Sequence, residues 1–322
     1  MRLQAPFLSS STKGMLPLVL ALLTVYLVWG STYLAIRVAV LGMPPFLMAG
    51  MRFLAASAIL IVIGLLLRQP FPSRREIAWA GLVGLFLLLG GNGLVVWAEQ
   101  FIPSSLAALL IASMPLWSLA FEAATPAGDR PTLLGAAGIT LGFLGVVTLF
   151  WPSLQAGDAH HLLAQAMVVL GTMTWALGTL IARRVSLPRS GLFNSGFTML
   201  SAGIAFIGVS FGFGEPAKVH WAQIPVEAWV AVAYLVVFGS CIAFSAFAWL
   251  NRHAPADLTS TYAYVNPVVA IILGYLLLQE PVTAWTMAGS ALIILSVGLV
   301  IRGGKKAPRD IPPPHPDRSR LA

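Results

Sequence analysis

Long apolar runs follow one another along most of the chain, separated by short joints of polar, proline or glycine residues. A transmembrane helix needs about 20 apolar residues, whereas a lipid-facing strand needs only about 10. Ten runs have the length of a helix, at approximately 16–37, 44–67, 77–97, 104–124, 131–151, 161–182, 191–213, 227–250, 257–278 and 283–301. The pattern therefore predicts an all-α integral membrane protein with ten transmembrane helices.

The composition supports this prediction. Hydrophobic residues make up 58% of the 322 residues and charged residues only 9%, whereas a soluble domain carries about 25% charged residues. The single cysteine, Cys241, lies in an apolar run, so no intramolecular disulfide is expected. The first apolar run is longer than the core of a signal peptide and no small-residue cleavage site follows it, so we interpret it as an uncleaved first span.

Most basic residues fall on one side of the predicted topology. If the N-terminus is cytoplasmic, all of the 19 lysines and arginines except Arg37, Arg52 and Lys218 lie in cytoplasmic segments, in agreement with the positive-inside rule. We therefore expect a multi-pass protein of the cell inner (plasma) membrane with both termini in the cytoplasm. The basic residues lie at loop ends and in the C-terminal tail, so the expected partner is the lipid bilayer and not nucleic acid.

Several residues recur with the same spacing in the two halves of the chain. Trp29 and Arg37 in the first span correspond to Trp175 and Arg183 in the sixth. Further anchors pair Trp97, Pro103 and Pro115 with Trp249, Pro255 and Pro267. Because each half holds five spans, an odd number, the second half should enter the membrane in the opposite orientation. The halves thus predict a 5+5 inverted repeat, an arrangement that places a substrate site near the middle of the bilayer.

The repeat divides the chain into five expected segments. They are a cytoplasmic N-terminal segment (1–15), a first five-helix repeat (16–151), a periplasmic linker (152–160), a second five-helix repeat (161–302) and a disordered cytoplasmic tail (303–322). The tail is assigned as disordered because it is rich in proline and arginine.

A set of short motifs is distributed over the two halves of the chain. They are Trp29–Tyr33, Met48–Leu54, Gly91–Gly93, Ala98–Gln100, Pro103–Ser105, Met114–Leu116, Tyr262–Val269 and Glu280. Together they resemble the EamA family of the drug/metabolite transporter superfamily, over the range from about Leu16 to Arg302. The resemblance implies a ten-helix secondary transporter, and most such transporters export amino acids, related metabolites or toxic compounds. The chain departs from the family pattern at Glu122, where a small or apolar residue is usual.

Charged residues inside the spans are the first candidates for function. Arg52 lies about two turns into the second span, where a cation costs several kcal/mol unless it is paired or hydrated. It is either a counter-charge for an anionic group of a solute or of Glu99, or a structural cation that binds backbone carbonyls or reaches the interface. Glu99, near the outer end of the third span, is either an interfacial carboxylate or a functional one, and proton coupling through Glu99, Glu122 or Glu280 is left open. Glu122 and Glu280 are interpreted as interfacial carboxylates.

Prolines and aromatic residues supply the other candidates. Pro115 and Pro267 lie at matching depths in the fourth and ninth spans, and each removes a backbone donor. They are either structural kinks or part of a cavity wall. Trp29 and Trp175 are placed to stack on a ring-bearing or cationic solute, although anchoring at the interface is the commoner role of a membrane tryptophan. The candidate substrate-binding residues are Trp29, Ser31, Thr32, Tyr33, Arg52, Asn92, Trp97, Glu99, Pro115, Trp175, Tyr262, Tyr264, Asn266 and Pro267.

Glycines and the lack of enzyme motifs complete the prediction. The fifth span carries small residues on one side, at Gly135, Gly138, Gly142 and Gly145. They indicate close helix packing or a contact in a homodimer. His160 and His161 lack further metal ligands, and no hydrolase, zinc-protease or complete phosphate-loop motif is present. We therefore expect no metal, no cofactor and no enzymatic activity.

The preferred hypothesis is a gradient-driven transporter that exports small organic solutes such as amino acids, related small metabolites or drugs. It would work by alternating access around a cavity lined by spans one, two, three, four, six, eight and nine. An importer or a facilitator of similar solutes is the nearest alternative. A different class, a membrane-embedded receptor or regulatory subunit, would bind a ligand without moving it.

Overall fold

The computed structural model describes residues 12–124, 132–254, 256–259 and 261–303. This part of the chain is helical and contains no β-strand. Its long helices are α1 (Met15–Gly42), α2 (Pro45–Leu66), α3 (Arg74–Ala98), α4 (Ser104–Ala123), α5 (Leu133–Ala156), α6 (Ala159–Ala182), α7 (Gly191–Gly212), α8 (Val226–Asn251), α9 (Tyr262–Leu278) and α10 (Ala284–Gly303). Short helices also form at Glu215–Lys218, Trp221–Gln223 and Ala256–Thr259.

Eight of these helices, α1 to α8, are long and apolar enough to cross a membrane. The helices α9 and α10 contain shorter apolar stretches, Val265–Leu278 and Ala284–Val300. The expectation of an all-α multi-pass membrane protein is confirmed, whereas the count of ten spans exceeds the eight that meet the length criterion within the described residues. Most of the predicted N-terminal segment (1–15) and tail (303–322) lies outside the described residues.

The joint between α5 and α6 is shorter than the sequence predicted. The expected linker at 152–160 is largely helical, because α5 continues through Pro152 to Ala156. Gly157 then ends the helix with a φ of 64°, a left-handed conformation that glycine adopts without steric cost. Asp158 starts α6 by accepting hydrogen bonds from the backbone nitrogens of the next two histidines. The turn between the two helices therefore consists of only two residues.

Asp158 gives a first prediction, on stability. The N–H groups of His161 and His160 and the His161 ring hold the pKa of this carboxyl below its usual range. A lowered pKa means that the charge stabilises the fold above the usual aspartate range, and that this contribution is lost as the pH falls through the lowered pKa. Asp158→Asn keeps a capping side chain but removes the charge. We expect the melting temperature of the detergent-solubilised wild type to fall more steeply on acidification than that of the variant. An equal fall of the melting temperature with pH in the two proteins would contradict the stabilising role of the Asp158 charge.

Glycines allow α2 and α7 to pack in close antiparallel contact. A Cβ added to Gly50 in α2 would lie 2.6 Å from the Ile207 Cδ1 atom in α7. A Cβ added to Gly196 in α7 would lie 2.8 Å from the Ile61 Cγ1 atom in α2. Since the start of each helix meets the end of the other, the two run in opposite directions and bury their small residues against each other.

The glycine side of α5 packs in the same way on α10. A Cβ added to Gly138 would lie 2.8 Å from the Ser296 carbonyl oxygen, and one added to Gly145 would lie 2.8 Å from the Ile293 Cγ1 atom. Close approach of helices through small residues is the usual mode of packing in membranes. The predicted small-residue contact is therefore made within the chain, and a homodimer stays a prediction.

Several helices depart from regular α geometry. Segments of π-helix occur at Val25–Trp29 in α1, Leu85–Asn92 in α3 and Leu235–Ala243 in α8. The helix α4 is interrupted between its parts Ser104–Ile111 and Met114–Ala123. Such irregular turns often occur at functional sites, and in a membrane they are tolerated where the backbone faces protein or a cavity.

Candidate functional site

A cavity of about 80 Å³, the central cavity, lies among α1, α2, α3, α4, α6, α7, α8 and α9. Half of the candidate residues line it: Trp29, Thr32, Tyr33, Arg52, Asn92, Trp175 and Tyr262. The interrupted and π-helical parts of α1, α3, α4 and α8 lie at or beside this lining. The predicted set of lining spans lacked α7, which contributes Met199.

Arg52 is the cation of the central cavity. The residue is only 5% exposed. Its Nε atom donates a hydrogen bond of 3.0 Å to the Ser240 hydroxyl on α8. Its Cζ lies 4.7 Å from the centre of the Phe53 ring. Among the described residues, Nη1 has no hydrogen-bond partner. The guanidinium is thus held in place by one nitrogen and can offer another to a carboxylate or a similar anionic group.

Five aromatic rings form a layer beside the cavity, which we call the aromatic layer: Trp29, Trp175, Phe244, Phe247 and Tyr262. The Trp29 ring lies 6.0 Å from Trp175, 5.3 Å from Tyr262 and 4.8 Å from Phe247, between ring centres. The Trp29 Nε1 atom donates to the Gly239 carbonyl at 3.2 Å, which fixes the ring across α1 and α8. A preformed aromatic wall can accept apolar or cationic parts of a solute.

A second and larger cavity, the vestibule, has a volume of about 540 Å³. It lies at the arginine-rich end of the bundle, the end at which α2 and α6 finish and α3 and α7 begin. Its polar lining includes Thr179, Arg183, Asn194 and Asn251. Phe244 lines both cavities. The aromatic layer therefore separates the central cavity from a wide polar opening.

At the opposite end of the bundle, Glu215 joins α2 to the segment after α7. Its carboxylate accepts hydrogen bonds from the backbone nitrogens of Leu47 at 2.8 Å and Phe46 at 3.3 Å. The first turn of a helix presents unpaired N–H groups and favours negative charge. This buried carboxylate therefore satisfies the start of α2 from the second half of the chain.

Glu280 makes the equivalent contact with α4. One oxygen accepts from the Ser104 backbone nitrogen at 2.7 Å and hydroxyl at 2.8 Å, and the other accepts from the Ser105 nitrogen at 3.0 Å. Glu280 is only 7% exposed. Its interpretation as an interfacial carboxylate was wrong, because the free N–H groups at the start of α4 bind it inside the protein.

Glu99 lies at the same end but outside the lining of the central cavity. Its backbone carbonyl accepts a hydrogen bond from the Arg37 guanidinium. The residue has no exposed surface. Neither carboxylate oxygen has a hydrogen-bond partner among the residues that the structure describes.

Two polar candidates join helices and do not line the cavity. The Ser31 hydroxyl donates to the Val28 carbonyl at 2.8 Å and shares a hydrogen bond of 2.6 Å with the Tyr234 hydroxyl on α8. The Asn266 amide can donate to the Tyr26 carbonyl at 3.1 Å and the Tyr262 carbonyl at 3.2 Å, which connects α9 to α1.

Trp97, Pro115 and Pro267 also lie outside the lining. Trp97 packs on Phe101, with 5.0 Å between the ring centres. Pro115 lies in the first turn of the second part of α4, and Pro267 lies within α9. The side chain of Tyr264 is outside the described part of the structure.

Sequence reasoning missed Ser240, Phe244 and Phe247. A small polar residue inside a long apolar run is a usable signal, since it needs a partner in the membrane, and Ser240 is such a residue. The two phenylalanines carry no comparable signal, because apolar residues occur on every side of a membrane helix.

A helical bundle with membrane-crossing helices around an arginine-lined cavity is typical of a membrane transporter. The chain belongs to the EamA-like transporter family, whose model matches residues 16–151 and 162–302. This result confirms the resemblance seen in the sequence. The family is one of transporters and not of enzymes.

Relatives include YedA of Escherichia coli K12, an uncharacterized inner membrane transporter, which is 37% identical over 90% of this chain and 92% of its own. An uncharacterized transporter of Archaeoglobus fulgidus is 25% identical over 88% of this chain and 98% of its own. A solved crystal structure with 22% identity superposes with a TM-score of 0.60 and covers 92% of this chain and 100% of its own. At this level of identity the last comparison shows the fold alone.

Proposed function

We propose that this protein is a gradient-driven transporter that exports small organic solutes carrying an anionic group across the cell inner membrane. Amino acids, related amphipathic metabolites and drugs of similar charge are the expected solutes. The observation that carries the proposal is the unpartnered Nη1 donor of the buried Arg52 in the wall of the central cavity. An anionic group there becomes the hydrogen-bond partner of Nη1, and the aromatic layer accepts the apolar part of the solute.

The proposed architecture has ten spans in two inverted halves, 16–151 and 161–302, with both termini in the cytoplasm. The helix α9 has 17 residues and α10 has 20. At 1.5 Å per residue these correspond to about 26 and 30 Å, close to the thickness of about 30 Å of the hydrocarbon core. The two separate matches to the family model support the division into halves.

Helix contacts support the inverted repeat. A helix and its counterpart five places later make equivalent contacts with the other half: α1 packs on α8 and α9, and α6 packs on α3 and α4. The Gly50–Ile207 contact and the Gly196–Ile61 contact are the same contact with the halves exchanged. Counterparts that pack in opposite directions, as α2 with α7 and α5 with α10, are expected when one half is upside down.

The proposed mechanism is alternating access. The two carboxylate contacts made by Glu215 and Glu280, with the Arg37 contact to α3, close the opposite end. The vestibule opens the arginine-rich end, which is the cytoplasmic end in this proposal. Its two arginines, Arg183 and Arg189, raise the local concentration of anionic solutes. A solute that passes the aromatic layer reaches Arg52, and rocking of the halves then exposes it at the opposite end.

Counterflow in proteoliposomes tests the proposal. Purified protein is reconstituted with an excess of one unlabelled L-amino acid inside, and uptake of the same labelled amino acid is followed across the proteinogenic set. We expect saturable uptake of at least one amphipathic member, and loss of competition by an analogue that lacks the carboxylate. Tight binding of an L-amino acid with no exchange under any gradient would favour the receptor alternative and overturn the proposal.

The close contact between Gly91 and Trp175 makes a prediction for this assay. A Cβ added to Gly91 would lie 2.9 Å from the Trp175 Cε3 atom, and overpacking of this kind costs about 1–3 kcal/mol. Gly91→Ala should displace the ring and reduce the counterflow rate about tenfold. Gly208→Ala is the matched control, since nothing lies within 4 Å of its added Cβ. Equal rates for the two variants would contradict a role for the Trp175 position.

A further inference from the structure

A buried carboxylate without a hydrogen-bond partner needs a physical explanation. Glu99 has no exposed surface, and neither of its oxygens is hydrogen bonded to a described residue. Glu215 and Glu280, at the same end of the bundle, show the usual solution, since each accepts backbone N–H groups. Glu99 differs from both because its side chain is buried but not used to join helices.

Charged and titratable groups on three other parts of the chain lie near Glu99. Tyr33 and Arg37 on α1, Arg52 on α2 and Glu280 after α9 are near enough to interact with it electrostatically. The helix α6 contacts α3 through Gly171 and Trp175, which do not titrate in the physiological range. Its titratable residue on this side is His160, whose ring stacks on Phe101 with 6.2 Å between the ring centres. Glu280, Arg37 and Arg52 therefore act on the Glu99 charge through space. None of them donates a hydrogen bond to its carboxylate oxygens in the described part of the chain.

Burial decides which form of Glu99 the closed state holds. An ionised carboxylate without hydrogen bonds is costly in a dry interior, whereas the neutral acid loses much less hydration. We propose that Glu99 is the proton-binding site of this transporter and that the opposite end closes on its neutral form. The inference rests on the proposed function, to which it adds the coupling ion.

The chemistry is a single reversible protonation. When the opposite end opens, water reaches the Glu99 carboxylate, and a hydronium ion transfers one proton to an oxygen and leaves a water molecule. Closure then buries the neutral acid. Tyr33 interacts with Glu99 and lines the central cavity, so the proton can be released toward the cavity when a solute replaces it.

Proton and solute compete in this scheme. A zwitterionic solute brings a carboxylate for Arg52 and an ammonium group that can offset the charge of Glu99 electrostatically from the Tyr33 side of the central cavity. The protein then closes with either a proton or a solute, and with neither it stays open. Such competition exchanges one proton for each solute molecule, in opposite directions.

Infrared spectroscopy of the protein in lipid nanodiscs tests the protonation without any solute. We expect the wild type to show a carbonyl stretch of a buried protonated carboxylic acid at neutral pH, and Glu99→Gln to lack it. Glu227→Gln is the matched control, because Glu227 is an exposed carboxylate near the same end, at the start of α8. Identical wild-type and Glu99→Gln spectra at every pH would overturn the proposal.

Proton movement during transport tests the coupling. Proteoliposomes hold a pH-sensitive dye and a mixture of the proteinogenic L-amino acids, and are diluted into buffer without them. We expect the lumen to acidify with the wild type and with Glu227→Gln, and the signal to be lost with Glu99→Gln. Counterflow without any wild-type acidification would overturn proton coupling while leaving the proposed function intact. Absence of counterflow would instead overturn the proposed function. The infrared result would still decide whether Glu99 binds a proton.

Discussion

Replacement of Arg52 by alanine should reduce counterflow of L-amino acids by at least about 30-fold, since loss of one member of a buried charge pair costs about 2–5 kcal/mol. The variant removes the only donor of the central cavity that we assign to the anionic group of the solute. It also removes the hydrogen bond to Ser240. Arg52→Lys keeps the charge but not the two-point geometry, so its rate should fall between those of the wild type and the alanine variant.

Two comparisons separate binding from folding in this experiment. Arg74→Ala removes an exposed arginine from the first turn of α3 and should leave exchange unchanged. Monodisperse elution of Arg52→Ala with normal yield would show that the fold survives. Wild-type exchange by a folded Arg52→Ala protein would contradict the assignment of the anion site, and loss of folded protein would favour a structural role for this arginine.

Removal of the Glu280 carboxylate should open the end of the bundle that is closed in this structure. Glu280 accepts three hydrogen bonds from the start of α4, and each bond to a charged group contributes about 1.5–3 kcal/mol. Loss of them in Glu280→Ala should shift the population toward the open form by at least about tenfold. The measurement is thiol labelling of Val95→Cys, a position that lines the central cavity, in a Cys241→Ser background.

The labelling reagent is applied from one side of the membrane only, so that it reports opening of one end of the bundle. An impermeant reagent added on the side of Glu280, opposite the vestibule, should label Val95→Cys slowly in the parent and rapidly when Glu280→Ala is also present. Glu215→Ala should act in the same direction but less strongly, because one of its two bonds is long at 3.3 Å. Glu227→Ala is the control and should not change labelling. Unchanged labelling in a folded Glu280→Ala protein would show that this carboxylate does not hold the end closed.

The positions of the helices could be predicted well because the lipid solvent imposes a clear pattern on the sequence. Lipid requires long apolar helices, and joints such as the one at Gly42–Pro45 interrupt them visibly. Arg52 and Trp175 could be identified as cavity candidates since each is unusual for its depth. The orientation of ordinary residues could not, because apolar side chains face both lipid and protein in a membrane bundle.

The errors have a common physical origin. Ser31 and Asn266 looked like ligand groups because they are polar within a span, but Ser31 bonds Tyr234 of α8 and Asn266 bonds the Tyr26 carbonyl of α1. Glu280 looked interfacial because it follows a helix end, yet the free N–H groups of another helix bury it. In each case the partner is distant in the chain, so a local pattern cannot reveal it.

The most direct test of the account is the side of the membrane on which equivalent joints lie. Gln69 follows α2, and Lys218 lies in the joint after its counterpart α7; both side chains are exposed. Single cysteines at these two positions, in a Cys241→Ser background, are labelled in oriented vesicles with an impermeant reagent. The inverted halves predict labelling of Gln69→Cys from the cytoplasmic side only and of Lys218→Cys from the other side only. Labelling of both from one side would contradict the inverted repeat and the alternating access that depends on it.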